Sequence, residues 1–316
     1  MPRKHARAQR GASNLNNDTA ASKERHVQQS DSDTDEAGST NSLVAYKDAV
    51  NLPAHQTKHL AELVYRFPSI DTSFRLMQRN YTNSTGSSLW LSSQILSSYL
   101  LHNYAVTHHK SSARSTRKRV LELGSGTGLL SLLMARLGWQ VVATDIPPVL
   151  DSVLRPNIEI GLYQLFNSGA VAADQVHVCE LDWTIPSEYW QWHSEFGLPS
   201  TSKQPPLEPS SSVSNQQSFD LIMTADTIYE PSLVHPLLST ISHLYRPQED
   251  SHPTVLLALE RRDPSHITEA LRIASQEFSL AFKQVPAKRI RKIFDSLGDG
   301  SKWSRDDWEG IEIWKL

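Results

Sequence analysis

The amino-acid sequence predicts an α/β domain with a doubly wound, mostly parallel sheet. Three observations carry this. From Val120 onward, short β-prone runs alternate with segments of helical period; the first run ends in a glycine-rich turn; the second ends on an acid, Asp145. Alternation of this kind buries a parallel sheet under helices on both faces.

Each element follows from its residues. Val120-Leu121-Glu122-Leu123 is a strand ending at glycines, and Leu129 to Leu137 keeps a helical period behind it. Gln140 to Asp145 is the second strand and Val176 to Leu181 the third. Phe219 to Ala225 is the fourth, with a helix over Ser232 to Leu244. Val255 to Leu259 is the fifth, followed by a helix over Ser265 to Glu277. Phe278 to Val285 and Gly310 to Leu316 complete a seven-stranded sheet as an antiparallel pair at or near one edge, with irregular sequence between them.

Upstream, residues 43–105 hold two helical or mixed segments, then a helix marked by Ile95, Leu96, Tyr99 and Leu100. The connector Thr107 to Arg119 carries Arg114, Arg117, Lys118 and Arg119, a charge run expected in solvent. Residues 1–42 offer almost no side chain to bury and are expected to be disordered. Residues 199–217, rich in Ser, Pro and Gln, read as a flexible insertion. Tyr189-Trp190-Gln191-Trp192 is aromatic enough to pack, against a surface the sequence does not name.

Composition excludes several classes. The 316 residues carry 34 acids and 31 Lys plus Arg, a net charge of −3, so no global positive field marks a nucleic-acid or membrane binder. No stretch approaches 18 consecutive apolar residues. The basic opening Arg3-Lys4-His5-Ala6-Arg7 lacks the apolar core of a secretory signal. The single cysteine, Cys179, fits a reducing compartment and reads as a buried strand thiol. His235, His243 and His266 show no ligand spacing, so no metal is expected. The expectation is a monomer, cytoplasmic and also nuclear, with no nucleic-acid or membrane partner.

Glu122-Leu123-Gly124-Ser125-Gly126-Thr127-Gly128 carries the chemistry. A backbone that turns tightly and admits a ligand has no room for a Cβ, and the following helix offers free N–H groups. Asp145, 21 positions after Gly124, can accept both hydroxyls of a ribose. The dinucleotide fingerprint would place its third glycine at Leu129, so this turn serves a nucleoside without a pyrophosphate.

With these residues in hand, the chain resembles the seven-β-strand, Rossmann-like methyltransferases that use S-adenosylmethionine, and within them methyltransferase family 16, the protein-lysine branch. The resemblance runs from Gly86 to Leu316 apart from the insertion. It rests on Gly86…Leu89-Trp90, Leu121 to Leu129, Thr144-Asp145, Leu181-Asp182-Trp183 and Phe219-Asp220…Ala225-Asp226-Thr227-Ile228-Tyr229. It implies that Trp90 lies beside the cofactor and that Gly124 and Gly126 meet its methionine and ribose end, with Glu122 and Ser125 in the same turn. Asp145 would hold the ribose, Asp182 and Trp183 the adenine, and the Ala225 backbone the sulfonium side. Asp226 and Tyr229 would face the incoming amine as catalytic residues. Pro156 departs from the pattern, in the segment Val149 to Ile160 where an unbroken helix ending at Asn157 is implied.

The function so implied is methylation of a lysine on a protein partner, with translation factors as a substrate class. A small-molecule acceptor and a catalytically silent binding module are the alternatives. Intact Glu122, Asp145, Asp226 and Tyr229 speak against the silent module. Taken singly, Trp90, Trp183 and Tyr229 read as packing residues, Asp226 as a helix cap, and Glu260-Arg261-Arg262 as a solvated cluster.

Overall fold

The structure is a computed structural model that describes residues 51–79, 85–105, 117–172, 175–193, 198–201, 219–245, 252–297 and 303–316. The expected tail 1–42 lies outside the described residues, as do 107–116 of the connector and 202–217 of the insertion.

A seven-stranded sheet forms the middle layer. In chain order its strands are β3 (Arg119–Leu123), β4 (Gln140–Asp145), β5 (Val176–Glu180), β8 (Leu221–Ala225), β9 (Thr254–Glu260), β10 (Lys283–Gln284) and β11 (Ile311–Lys315). The spatial order is β10-β11-β9-β8-β3-β4-β5. β9, β8, β3, β4 and β5 are parallel; β11 runs antiparallel to β9, and β10 antiparallel to β11. Every residue of β3 is buried, as a central strand covered on both faces requires.

Two apolar layers cover the faces. One side holds α1 (Leu91–Tyr104), α2 (Leu129–Arg136), α3 (Arg155–Asn167) and α6 (Ala287–Leu297), through Ile95, Leu132, Ile158 and Phe294. The other holds α4 (Pro231–Leu244) and α5 (Pro264–Glu277), through Leu237, Ile241 and Ile267. Local chemistry sets the helix starts. Pro264 opens α5, where Asp263 accepts from the amides of Ser265 and His266. Glu230 does the same for α4, accepting from Ser232 N, so Asp226 is not the cap.

Four local expectations change. The two mixed segments before α1 are an antiparallel hairpin of β1 (Glu62–Phe67) and β2 (Thr72–Met77), whose Tyr65, Phe67, Phe74 and Leu76 enter the core. The stretch between the late strands contains α6, whose Ile290, Ile293 and Phe294 at helical spacing are buried. Pro156 does not stop the chain: a π-helical turn, Leu150–Leu154, leads directly into α3, where Pro156 stands second and the Ser152 carbonyl accepts from Arg79 Nε at 3.3 Å. The helix therefore continues past Asn157 to Asn167. Arg119 is buried rather than solvated, with Asp220 accepting from its backbone N at 2.8 Å and its guanidinium 4.8 Å from the Phe219 ring centre.

The aromatic run also finds its place. β6 (Trp190–His193) pairs with β7 (Leu198–Thr201), so 199–201 of the expected insertion are strand. Trp190 is buried, donates to Ile185 O at 2.9 Å and meets the His243 ring edge-on.

Buried side-chain amides tie the N-terminal segment to this body. Asn157 accepts from Met77 N at 2.8 Å and donates to Met77 O and Thr127 O, joining β2 to the glycine turn. Gln78 accepts from Leu89 N, and Gln94 accepts from Ala54 N. Residues 85–90 are thereby pinned above the carboxyl ends of β3 and β4.

Candidate active site

The order of winding reverses at β3, with β4 and β5 on one side and β8 and β9 on the other. An open sheet leaves a crevice at such a switch point, outside the carboxyl ends of its strands. A cavity of about 220 Å³ lies there. Trp90, Glu122, Gly124, Ser125, Gly126, Asp145, Asp182, Trp183, Ala225, Asp226 and Tyr229 all line it. All eleven residues expected at the site are thus brought together.

The glycine turn is built for close approach. Gly124 and Gly126 have φ of +68° and +52°. A Cβ on Gly124 would stand 3.0 Å from Thr227 Cγ2 and 3.2 Å from the Trp183 ring; one on Gly126 would stand 3.0 Å from Gly86 O. Asp145 accepts from Gly126 N and from its own neighbour Ile146 N, both at 2.8 Å. A carboxylate has about four acceptor sites, so two remain for a ligand. Burial pushes this carboxyl up to about 6, against the pull of the two amides.

Glu122 lies deeper and accepts from the Ser131 hydroxyl. Burial raises its carboxyl to about 8, opposed by the hydroxyls of Ser131 and Ser125, so at neutral pH it favours the protonated form. Ser125 lines the cavity, but its hydroxyl is used within the fold, accepting from Thr144 N at 3.0 Å. One Asp182 oxygen is similarly engaged by Thr184 N and Oγ1. Trp183 presents an indole Nε1 that is buried without a hydrogen-bond partner.

On the β8–β9 side the backbone itself is unusual. Asp226 has φ +56°, a left-handed conformation that non-glycine residues enter at a cost of about 1–3 kcal/mol. Its N–H bonds Ala258 O at 2.9 Å and its Oδ1 accepts from Glu260 N at 3.2 Å, which fixes the side chain. Oδ2 is buried with no hydrogen bond, 3.7 Å from Arg262 Nη2. Burial raises its carboxyl, while the nearby Ser92 hydroxyl and the Arg262 guanidinium pull the other way. Tyr229, 46% exposed, stands at the mouth.

Sequence reasoning took Arg262 for part of a solvated cluster and missed Lys58. Arg262 lines the cavity, grips Glu260 (Nε at 2.8 Å) and places its guanidinium 4.5 Å from the Trp90 ring centre. Lys58 Nζ sits 3.4 Å over the same ring. Burial and then Arg262 lower the Lys58 ammonium, with Glu260 and Asp226 opposing. The position of Arg262 just after a parallel strand was the available signal; nothing in the sequence around Lys58 pointed here.

Four carboxyl side chains, Glu122, Asp145, Asp182 and Asp226, line the cavity against one guanidinium, Arg262. Glu122 favours its neutral form, and the other three acids against one guanidinium disfavour a pyrophosphate and suit a cofactor bearing a sulfonium and an ammonium. Asp145 offers acceptors to a ribose. Trp183, Leu181 and Ile146 give the cavity an apolar wall against which a purine could lie. The residues present fit S-adenosylmethionine.

Comparison with known proteins agrees. A sequence model described as lysine methyltransferase matches residues 71–195 and 207–278, more than half of the chain. EEF1A lysine methyltransferase 3 of Mus musculus is 27% identical over 53% of this chain and 56% of its own length. Protein N-lysine methyltransferase METTL21A of Danio rerio is 33% identical over 48% and 55%. Protein-lysine N-methyltransferase EFM6 of Saccharomyces cerevisiae is 28% identical over 56% and 64%. The chain spans about half the length of the curated relatives it matches. It belongs to the lysine methyltransferase family, and its cofactor is S-adenosylmethionine.

Proposed function

We propose that this protein methylates the ε-amine of a lysine on a protein substrate, with a translation factor as the substrate class. One observation carries the reading. Asp226 is held rigidly at the cavity wall, with one oxygen committed to Glu260 N and the other lacking a close donor, facing Arg262 Nη2 at 3.7 Å with the Ser92 hydroxyl nearby. A buried carboxylate oxygen kept in that state is costly unless a donor comes to it.

Bound there, S-adenosylmethionine would supply an electrophilic methyl for transfer to the amine. A lysine ammonium has a pKa of about 10.4 and must lose a proton first. The buried surroundings favour the neutral amine, and Asp226 Oδ2 can accept its N–H and orient its lone pair. Tyr229 offers a ring face for the charge that builds on nitrogen. Residues 43–105, through Thr85, Gly86, Ser88 and Trp90, would cover the bound cofactor. The names of the mouse and yeast relatives support a protein lysine as acceptor, and that of the mouse relative supports a translation elongation factor. Such a substrate would place the enzyme in the cytoplasm.

The test is incubation of the full chain with radiolabelled S-adenosylmethionine and purified EEF1A, then with whole lysate. Label on a lysine of a protein band, located by mass spectrometry, is the expected result. Label confined to a small-molecule fraction would replace the protein acceptor, and absence of label despite cofactor binding would overturn the enzyme reading.

A further inference from the structure

A second cavity of about 400 Å³ opens at the other end of the sheet, where β9 begins at Thr254 and β11 ends at Lys315. Its wall includes Asn103 from α1, Thr254 from β9, Lys283 from β10, Lys315 from β11 and Arg289 from α6. No acid lines it. The cofactor cavity has four acids and one cation; this one has three cations and none.

The cations are brought together against their own repulsion. Lys283 is paired directly with Lys315 in the antiparallel register. Side chains so placed have Cβ atoms about 4.5–5.5 Å apart, and like charges there are destabilising. Arg289 is held beside them, donating to Asn103 Oδ1 at 3.2 Å with its guanidinium 5.9 Å from the Tyr99 ring centre. An edge strand often carries a lysine to discourage pairing with another chain, which explains Lys283 alone. It does not explain three cations from three elements around one concavity.

Ion pairing is uneven across the described surface, where exposed Arg66 and Lys118 also form none. Arg261, Arg262, Arg272 and Arg305 each meet a carboxylate. Lys283, Lys288, Arg289, Lys292 and Lys315, all exposed, form no ion pair among the described residues. In a chain of net charge −3, these counter-ions are left to the solvent or to a ligand.

We propose that this cavity is a binding site for a phosphate-bearing anion, distinct from the cofactor site. Two lysines facing each other across one register can reach a single phosphoryl group, and the planar guanidinium of Arg289 matches a second pair of its oxygens. Thr254 and Gln284 add neutral donors at the wall. The concavity favours a compact di- or polyphosphate, whether inorganic or the tail of a nucleotide. The site stands on its own geometry and does not depend on the methyl-transfer reading.

The experiment is calorimetric titration of the full chain with inorganic pyrophosphate and with ADP, citrate serving as a tricarboxylate of similar charge. Saturable one-site binding of pyrophosphate is expected, weakening with added salt. Arg289→Glu and Lys315→Glu, both at exposed positions, should each lower its affinity at least tenfold with the thermal transition unchanged. Arg305→Glu, an equal charge change elsewhere, should leave it within twofold. ADP equal to pyrophosphate assigns the site to the phosphates alone; ADP several-fold tighter assigns it to a nucleotide. Citrate binding as tightly as pyrophosphate would overturn the phosphate assignment. So would absence of pyrophosphate binding, or equal loss in all three variants.

Discussion

The two walls of the cofactor cavity solve different problems with the same kind of residue. On the β3–β4 wall, Glu122 and Asp145 are locked into the fold: Glu122 by Ser131, Asp145 by the amides of Gly126 and Ile146. On the β8–β9 wall, Asp226 is equally fixed in backbone and one oxygen, yet keeps Oδ2 free of hydrogen bonds, with exposed Tyr229 and Arg262 around it. A wall that holds a constant ligand can satisfy its groups in advance. A wall that meets a variable, transient acceptor must leave one unsatisfied.

If that division holds, Asp226→Ala gives the largest effect. Methyl transfer should fall on the order of a hundredfold or more, as for loss of a group that orients or deprotonates the nucleophile. Cofactor affinity, measured by calorimetry, should stay within about twofold. Full activity in Asp226→Ala, or equal loss of binding and turnover, would erase the distinction between the walls.

Asp145→Ala strikes the other wall and should show the reverse pattern. Loss of hydrogen bonds to the ribose should weaken S-adenosylmethionine by about 1.5–3 kcal/mol. At saturating cofactor the remaining rate should recover most of the original value. A turnover defect that saturation does not rescue would mean that Asp145 takes part in the chemistry.

The extent to which this was legible in the sequence follows the same line. β3, the glycine turn and Asp145 were legible because their constraints are local: a strand, a turn that needs positive φ, an acid at the next strand end. Asp226 and Tyr229 were legible only through the family motif that the resemblance lays over Asp226 to Tyr229. Arg262 and Lys58 were not, because their place depends on β9 ending beside Trp90 and on a helical turn, Ala54–Thr57, packing across it. The hairpin β1–β2 was missed for a related reason. Its strands bury alternate residues against α2 and α3 rather than in the main sheet, so the pattern was too short to separate from a mixed segment.

A pH series sharpens the comparison on the cofactor wall. Folded Glu122 keeps its proton to about pH 8, whereas an unperturbed carboxyl loses it near 4.5. The stability this supplies is complete below 4.5 and is lost as pH climbs through 8. Between pH 7 and 9 that loss is on the order of 1 kcal/mol. Denaturant midpoints should therefore fall over this range, and Glu122→Gln, which stays neutral, should flatten the fall. Parallel pH profiles for the two proteins would show that Glu122 ionises like an exposed acid.

Tyr229 gives the smallest effect and separates two ways in which an acceptor wall can work. The side chain is 46% exposed at the cavity mouth, so its hydroxyl already has water to bond. Exchanging one such bond for another is worth about 1 kcal/mol or less, and Tyr229→Phe should cost under about fivefold in kcat/KM for the acceptor at saturating cofactor. The ring is a different matter. A cation developing over an aromatic face gains about 0.5–2 kcal/mol, so Tyr229→Ala should lose about tenfold where Tyr229→Phe does not. Cofactor affinity should be unchanged in both, since the half-exposed ring stands outside the glycine turn. If Phe falls as far as Ala, the hydroxyl touches the reacting amine. Asp226 would then share its role with a phenol, and the wall would hold two groups waiting for the same nitrogen.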